Sequence, residues 1–322
     1  MNSESPNESL LTIRQAAKFL NVHPDTLRRW ERMQKITSIR IGNRKDRRYR
    51  LEDLHELISP EASRAYPLTF KVNNRDQIKI SKILKRSKWI FFDVGYTLMS
   101  LFPSRGDTYA DIAYDYGYNL DPNLIQKNFA ELTKEWDKEK ILSEPLTKGS
   151  QITIAQHYAQ FNAEILLRSG FPMSEKTKAI IVGKQIFTTI FSDFTLWKTF
   201  KGVEEFLAIL KKNGKKLGII ENWDGRLTRF MKNWILDSYF NLVISGGELK
   251  LRKPDPHLFK LAIEKSGSTS SEIVYIGDRY VEDVLIPKKV GINPLLFDRE
   301  RQYVDKDCLR FYTYKELIEN LS

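Results

Sequence analysis

The chain has 322 residues, 41% of them apolar, with a net charge of +11, one cysteine and four histidines. That length allows two or three domains with their own cores, while a lone Cys308 excludes an internal disulfide and the sparse histidines leave no zinc site. No apolar run approaches the ~18 residues that cross a bilayer, and the polar opening lacks the apolar stretch of a secretory signal, so a cytoplasmic protein without a membrane partner is expected.

The charge is unevenly placed. Between residues 11 and 50, twelve Lys/Arg stand against three Asp/Glu, a local net of +9. Solvated faces usually mix signs, so a one-sign segment points to an anionic partner.

Thr12 to Gln15 has the spacing of a capping box, in which a Thr oxygen and a Gln side chain satisfy free helix amides. Ile13, Ala16, Ala17 and Leu20 follow at helical spacing. A turn at Asn21 to His23 leads to Pro24, which suits the first position of a second helix. On that helix Leu27 and Trp30 face inward, and Arg28, Arg29 and Arg32 outward. Two β-prone stretches, 37–41 and 47–50, flank a basic tip at 42–46. A third helix at 51–58 carries Glu52 and Asp53 in its first turn.

This run resembles the MerR-like winged helix-turn-helix, including its excisionase-type relatives. The resemblance is carried by Thr12-Ile13, Ala16-Ala17, Leu20, Val22, Thr26 to Glu31, Arg47-Arg48-Tyr49 and Leu54. It implies that the second helix enters the major groove of duplex DNA while the wing grips phosphates. Arg28 and Arg29, with Thr26 near the helix start, are then the candidates for base or backbone contact. Arg44, Lys45, Arg47, Arg48 and Tyr49 would touch mainly the backbone. Residues 1–60 form this domain and 61–87 a linker. The stretch 59–87 contains Pro60, Pro67 and Asn73-Asn74 without sustained heptads, so a homodimer would have to form through other contacts.

From residue 88 the pattern is α/β. Apolar runs at 89–93, 216–220, 239–245, 273–277 and 294–297 alternate with helical patterns, which predicts a parallel, Rossmann-like sheet covered on both faces. Several runs end in an acidic residue: Asp93, Glu221 and Asp278. Such residues converge on the rim where open α/β sheets bind ligands. Residues 101–200 break the alternation and are helical in pattern, as a cap over that rim would be.

Residues 88–322 resemble the haloacid dehalogenase-like (HAD) hydrolases, most closely the capped, phosphatase-like branch. Four segments carry the resemblance: Asp93 to Leu98, Ile219 to Leu227, Lys253 to Pro256 and Gly277 to Asp283. It implies that Asp93 attacks phosphorus and forms an aspartyl-phosphate. Mg²⁺ would be held by Asp93, the Gly95 carbonyl and Asp278, with Asp283 in support. Lys253 would hold phosphate oxygens, and Thr97 would position the phosphoryl group. Glu221 and Asn222 fall in the substrate pocket.

Two positions depart from that pattern. Gly95 stands where phosphatases of the family carry a second aspartate, the acid that protonates the leaving oxygen; such groups contribute ~10²–10⁴-fold. Glu221 replaces a hydroxyl residue that meets phosphate, and a carboxylate ~4 Å from an anion costs about 4 kcal/mol at an effective dielectric of ~20. Lys253 could pair with Glu221, or a protonated Glu221 could donate. The leading expectation is a DNA-binding regulator carrying a Mg²⁺-dependent hydrolase-type domain that hydrolyses or senses a small phosphorylated molecule. The alternatives are a catalytically silent sensor or dimerisation scaffold, and a metabolic phosphatase with an N-terminal protein-interaction module. Dehalogenation, which uses no metal, ranks last.

Overall fold

A computed structural model of the chain describes residues 10–20, 22, 24–32, 35–42, 46–58, 74–138, 151–223, 226–232, 234 and 236–321. They fall into two units, 10–58 and 74–321.

In the first unit, helices Ile13–Leu20, Pro24–Arg32 and Leu51–Ile58 pack with strands β1 (Leu10–Thr12), β2 (Ile39–Ile41) and β3 (Asp46–Arg50), in the order β1-β3-β2. The Thr12 amide donates to Gln15 Oε1 at 2.9 Å and the Gln15 amide to Thr12 Oγ1 at 3.2 Å, which is the expected capping box. A small core of Ala16, Ala17, Leu20, Leu27, Trp30 and Leu54 is buried.

The second unit is built on a six-stranded sheet. Strand β4 (Trp89–Phe92) lies at its centre; β5 (Met99–Leu101) and β6 (Trp197–Thr199) form a separate antiparallel ribbon. The remaining strands are β7 (Lys216–Glu221), β8 (Leu242–Ser245), β9 (Ile273–Gly277), β10 (Asn293–Phe297) and β11 (Arg310–Phe311). Their order is β11-β10-β9-β4-β7-β8, with every neighbouring pair parallel. The period-2 alternation of a strand sends Ile90 and Phe92 to one face and Trp89 and Phe91 to the other, where each joins a different hydrophobic cluster. Helices Val203–Lys212 and Tyr314–Leu321 cover the first face, and Pro256–Ser266 the second.

Residues 74–86, expected to be linker, instead form a helix, and Ile80 and Leu84 are buried in the core of the second unit. The part at 61–73 lies outside the described residues. The cap consists of helices Arg105–Asp115, Pro122–Lys138, Gln151–Arg168 and Lys176–Ser192. Two of them approach closely at Gly183, where a Cβ would lie 2.4 Å from the Ala159 carbonyl oxygen. Among the described residues, no helix is long and apolar enough to cross a membrane.

Candidate active site and nucleic-acid interface

The strand order itself assembles the floor of the site. β4 is flanked by β7 and β9, so Asp93, Glu221 and Asp278 lie at the carboxyl ends of three adjacent parallel strands. Neighbouring strands run ~4.8 Å apart, so groups at matching ends are brought within reach of one another.

Lys253 is buried and its Nζ donates to Asp93 Oδ1 at 2.5 Å, to the Tyr275 hydroxyl at 2.8 Å and to Asp283 Oδ1 at 2.9 Å. Burial alone would lower the lysine's pKa; the carboxylates of Asp283 and Asp93 outweigh it and keep the ammonium charged. Asn222 grips the backbone of Lys253 twice: the Lys253 amide donates to Asn222 Oδ1 at 2.7 Å, and Asn222 Nδ2 to the Lys253 carbonyl at 3.2 Å. The Thr97 hydroxyl donates to Asp93 Oδ2 at 3.0 Å. Thr97 is wholly buried, and its hydroxyl orients the aspartate.

Glu221 does not hydrogen-bond Lys253. Its Oε2 accepts from the amides of Val94 at 3.0 Å and Gly95 at 3.4 Å, and its Oε1 from the Asn222 amide at 2.7 Å. Asp283 likewise faces inward: Oδ1 meets Lys253 and Tyr275, and Oδ2 accepts from the Arg279 amide at 2.9 Å. Its position on a π-helical turn, Tyr280–Leu285, brings it against Gly277, where any Cβ would lie 2.3 Å from Asp283 Cγ. Asp283 thus supports Lys253 through Oδ1 and the turn at Arg279 through Oδ2.

Four carboxylates face one lysine in this floor. Burial, followed by the charge of Glu221, holds the Asp93 pKa well above the ordinary carboxylate range. Burial and Asp283 push Asp278 to about 7. A divalent cation would relieve this surplus of negative charge. The donors at hand are the Asp93 and Asp278 carboxylates and the Gly95 carbonyl, an oxygen-only set that suits Mg²⁺, which keeps several waters. Among the described residues, no three His, Cys, Asp or Glu side chains are grouped so as to hold a metal ion by themselves.

Above the floor is a cavity of about 580 Å³ lined by Asp93, Gly95, Glu221, Lys253 and Asp278 below and by cap residues above. Tyr109, Phe129, Tyr158 and Phe187 contribute aromatic surface, and Arg105 spans floor and cap. Its Nε donates to the Tyr96 hydroxyl at 2.8 Å while the guanidinium lies 3.4 Å from the Phe129 ring centroid. Tyr96 has φ of 62°, an uncommon and strained backbone state for a bulky residue. Sequence reasoning missed Arg105 and Tyr275. Tyr275 carried a readable signal: a phenol inside an otherwise apolar strand needs a buried partner.

In the first unit, Arg28 and Arg32 are exposed on the second helix, and Thr26 is partly exposed. The Arg29 side chain and all of Arg44 and Lys45 lie outside the described residues. Arg47 is committed within the fold: its Nε meets Glu31 Oε2 at 2.6 Å, while Arg40 Nη2 and Ser38 Oγ meet Oε1 at 2.7 and 2.6 Å. Glu31 so ties the wing to the second helix. Arg48 is partly exposed. Tyr49 was expected on the DNA-facing surface but is 1% exposed. It alternates with Arg48 and Arg50 along β3 and pairs in register with Leu11, which turns its ring into the core.

Fold and floor together define a hydrolase-type α/β domain under a helical cap. The sequence profile of the haloacid dehalogenase-like hydrolases matches residues 122–297, and the chain belongs to that family. A helix-turn-helix domain profile matches residues 10–60. The chain is 29% identical over 231 residues to the Rhythmically expressed gene 2 protein of Drosophila melanogaster, covering 68% of this chain and 86% of that protein. It is 27% identical over 234 residues to the glyceraldehyde 3-phosphate phosphatase of Methanothermobacter thermautotrophicus, covering 69% and 92%. In fold it is similar to the HAD-hydrolase YfnB of Bacillus subtilis, solved bound to magnesium, with a TM-score of 0.57 at 14% identity over 74% of this chain and 99% of that one.

Proposed function

We propose that this chain is a DNA-binding regulator whose second unit binds a small phosphorylated molecule together with Mg²⁺ and turns it over slowly. The observation that carries the reading is the cavity floor. Asp93 is held by Lys253 and Thr97 as a nucleophile would be, yet Gly95 offers no acid and Glu221 occupies the neighbouring amides. In the reaction of the family, an Asp93 oxygen bonds to phosphorus as the bond to the leaving oxygen breaks. That oxygen needs a proton, and its absence costs ~10²–10⁴-fold in rate. Asp93, Asp278 and the Gly95 carbonyl would hold Mg²⁺, which when bound neutralises charge between carboxylate and phosphoryl oxygens. The phosphatase among the relatives supports a small phosphorylated molecule as ligand.

For the first unit, the exposed Arg28 and Arg32, the Thr26 side chain and the wing residue Arg48 form the surface offered to duplex DNA, with Arg47 fixing the wing through Glu31. Binding should weaken with salt at a log–log slope of about −0.9 per phosphate neutralised. The test joins two assays on the full chain: DNA binding across a salt series, and hydrolysis of phosphate esters with and without Mg²⁺. Salt-dependent DNA binding with weak turnover supports the reading. Salt-independent binding, or none to any duplex, removes the DNA half. Vigorous Mg²⁺-dependent turnover without DNA binding instead favours a metabolic phosphatase.

A further inference from the structure

We propose that Glu221 is a resident competitor for the oxyanion site of the cavity, so that a phosphorylated ligand binds only by displacing this carboxylate. The inference rests on the reading above that the second unit takes a phosphorylated ligand, and it adds how that ligand is admitted. Three backbone amides, those of Val94, Gly95 and Asn222, converge on the one carboxylate at 3.0, 3.4 and 2.7 Å. Successive amides arranged in a concavity form a binding site for an oxyanion. Val94 and Gly95 directly follow Asp93 in the chain, so an anion held by their amides lies beside the Asp93 carboxyl, where a phosphoryl group under attack must be. Glu221 is 5% exposed and already fills that place. The buried ammonium of Lys253 is spent on Asp93 and Asp283. A phosphoryl group entering with Glu221 in position would add its charge to Asp93 and Glu221, with the Lys253 ammonium already paired to Asp93 and Asp283.

Displacement has a route to the rest of the unit. The next residue, Asn222, holds the Lys253 backbone by two hydrogen bonds. The one after, Trp223, packs edge-on against Phe191 of the cap at 5.1 Å and Trp197 of the ribbon at 5.5 Å between ring centroids. A carboxylate leaving the amides therefore pulls on both the catalytic lysine and the cap. Occupancy of the site by ligand or by Glu221 becomes two distinct arrangements of the same segment.

The experiment is calorimetric titration of inorganic phosphate into the full chain in the presence of Mg²⁺, for wild type, Glu221→Ser and Glu221→Gln. Emptying the amides should tighten phosphate binding about tenfold or more, the worth of one charge-assisted hydrogen bond. Glu221→Gln keeps the length of the side chain and loses its charge, so it should fall between the other two. It also serves as the second variant should Glu221→Ser fail to melt cooperatively. Phosphate should change tryptophan fluorescence in the wild type, and Trp223→Phe should remove most of that change. Equal phosphate affinity in wild type and both folded variants overturns the competitor while leaving the phosphorylated-ligand reading in place. No phosphate binding by any of the three overturns both.

Discussion

At the scale of single residues, the buried floor sets the carboxylates of Asp93 and Asp283 around one ammonium, that of Lys253. Lys253 stands between Asp93 and Asp283 with all three side chains buried. Removing one partner of such a set leaves uncompensated charge and costs about 3–5 kcal/mol. Lys253→Met should therefore lower unfolding stability by about that amount in metal-free protein, measured by denaturant titration. A loss under about 1 kcal/mol would mean the carboxylates relax into water. Gly95 is different, because there is room for a side chain: a Cβ there meets only Trp197 Cη2, at 4.0 Å. Gly95→Asp combined with Glu221→Ser should raise phosphatase turnover more than either change alone, since both groups face one phosphoryl position. A double variant no faster than wild type would assign the limit to the cap. None of these partnerships was readable from the chain alone. Asp93 and Lys253 are separated by 160 positions, and only the folded sheet shows that Lys253 turns to Asp283 and away from Glu221.

At the scale of elements, most of the architecture was legible, because buried parallel strands read as apolar runs ending in acids. The cap helices were legible for a similar reason: each is long enough to show its 3.6-residue period. The helix Asn74–Arg86 was not. Asn73-Asn74 and Pro67 nearby read as linker, and they outweighed the pattern of Ile80, Ile83 and Leu84. Tyr49 was misjudged because it sits inside a basic run, where composition suggested surface and strand alternation dictated core. The turn after β9 offers a test of element-level design. Gly277→Ala would place a methyl carbon within 2.3 Å of Asp283 Cγ, so the π-helical turn must shift and release Lys253. Weaker Mg²⁺ binding and a lower melting temperature are expected, both measurable on one sample by thermal melting with and without the ion. Unchanged melting would show that Asp283 can be moved without cost.

At the scale of the molecule, the described residues form two units with separate cores. A domain of about 50 residues buries only about 60% of its unfolded surface and is marginal alone, so the larger unit should dominate thermal stability. Residues 71–322 expressed by themselves should melt within a few degrees of the main transition of the full chain. A large drop would reveal that the first unit supports the second. The ribbon of β5 and β6 carries a different consequence. Leu101 pairs with Trp197, so the chain leaves the sheet domain and returns to it at points one strand apart. Everything between those residues is, topologically, a single loop with matched ends. Such an insertion can be replaced by another of different length or chemistry without changing the register of any strand beneath it. The cap is thus one cassette in the chain, separable from the strand-end residues Asp93, Glu221 and Asp278 of the cavity floor.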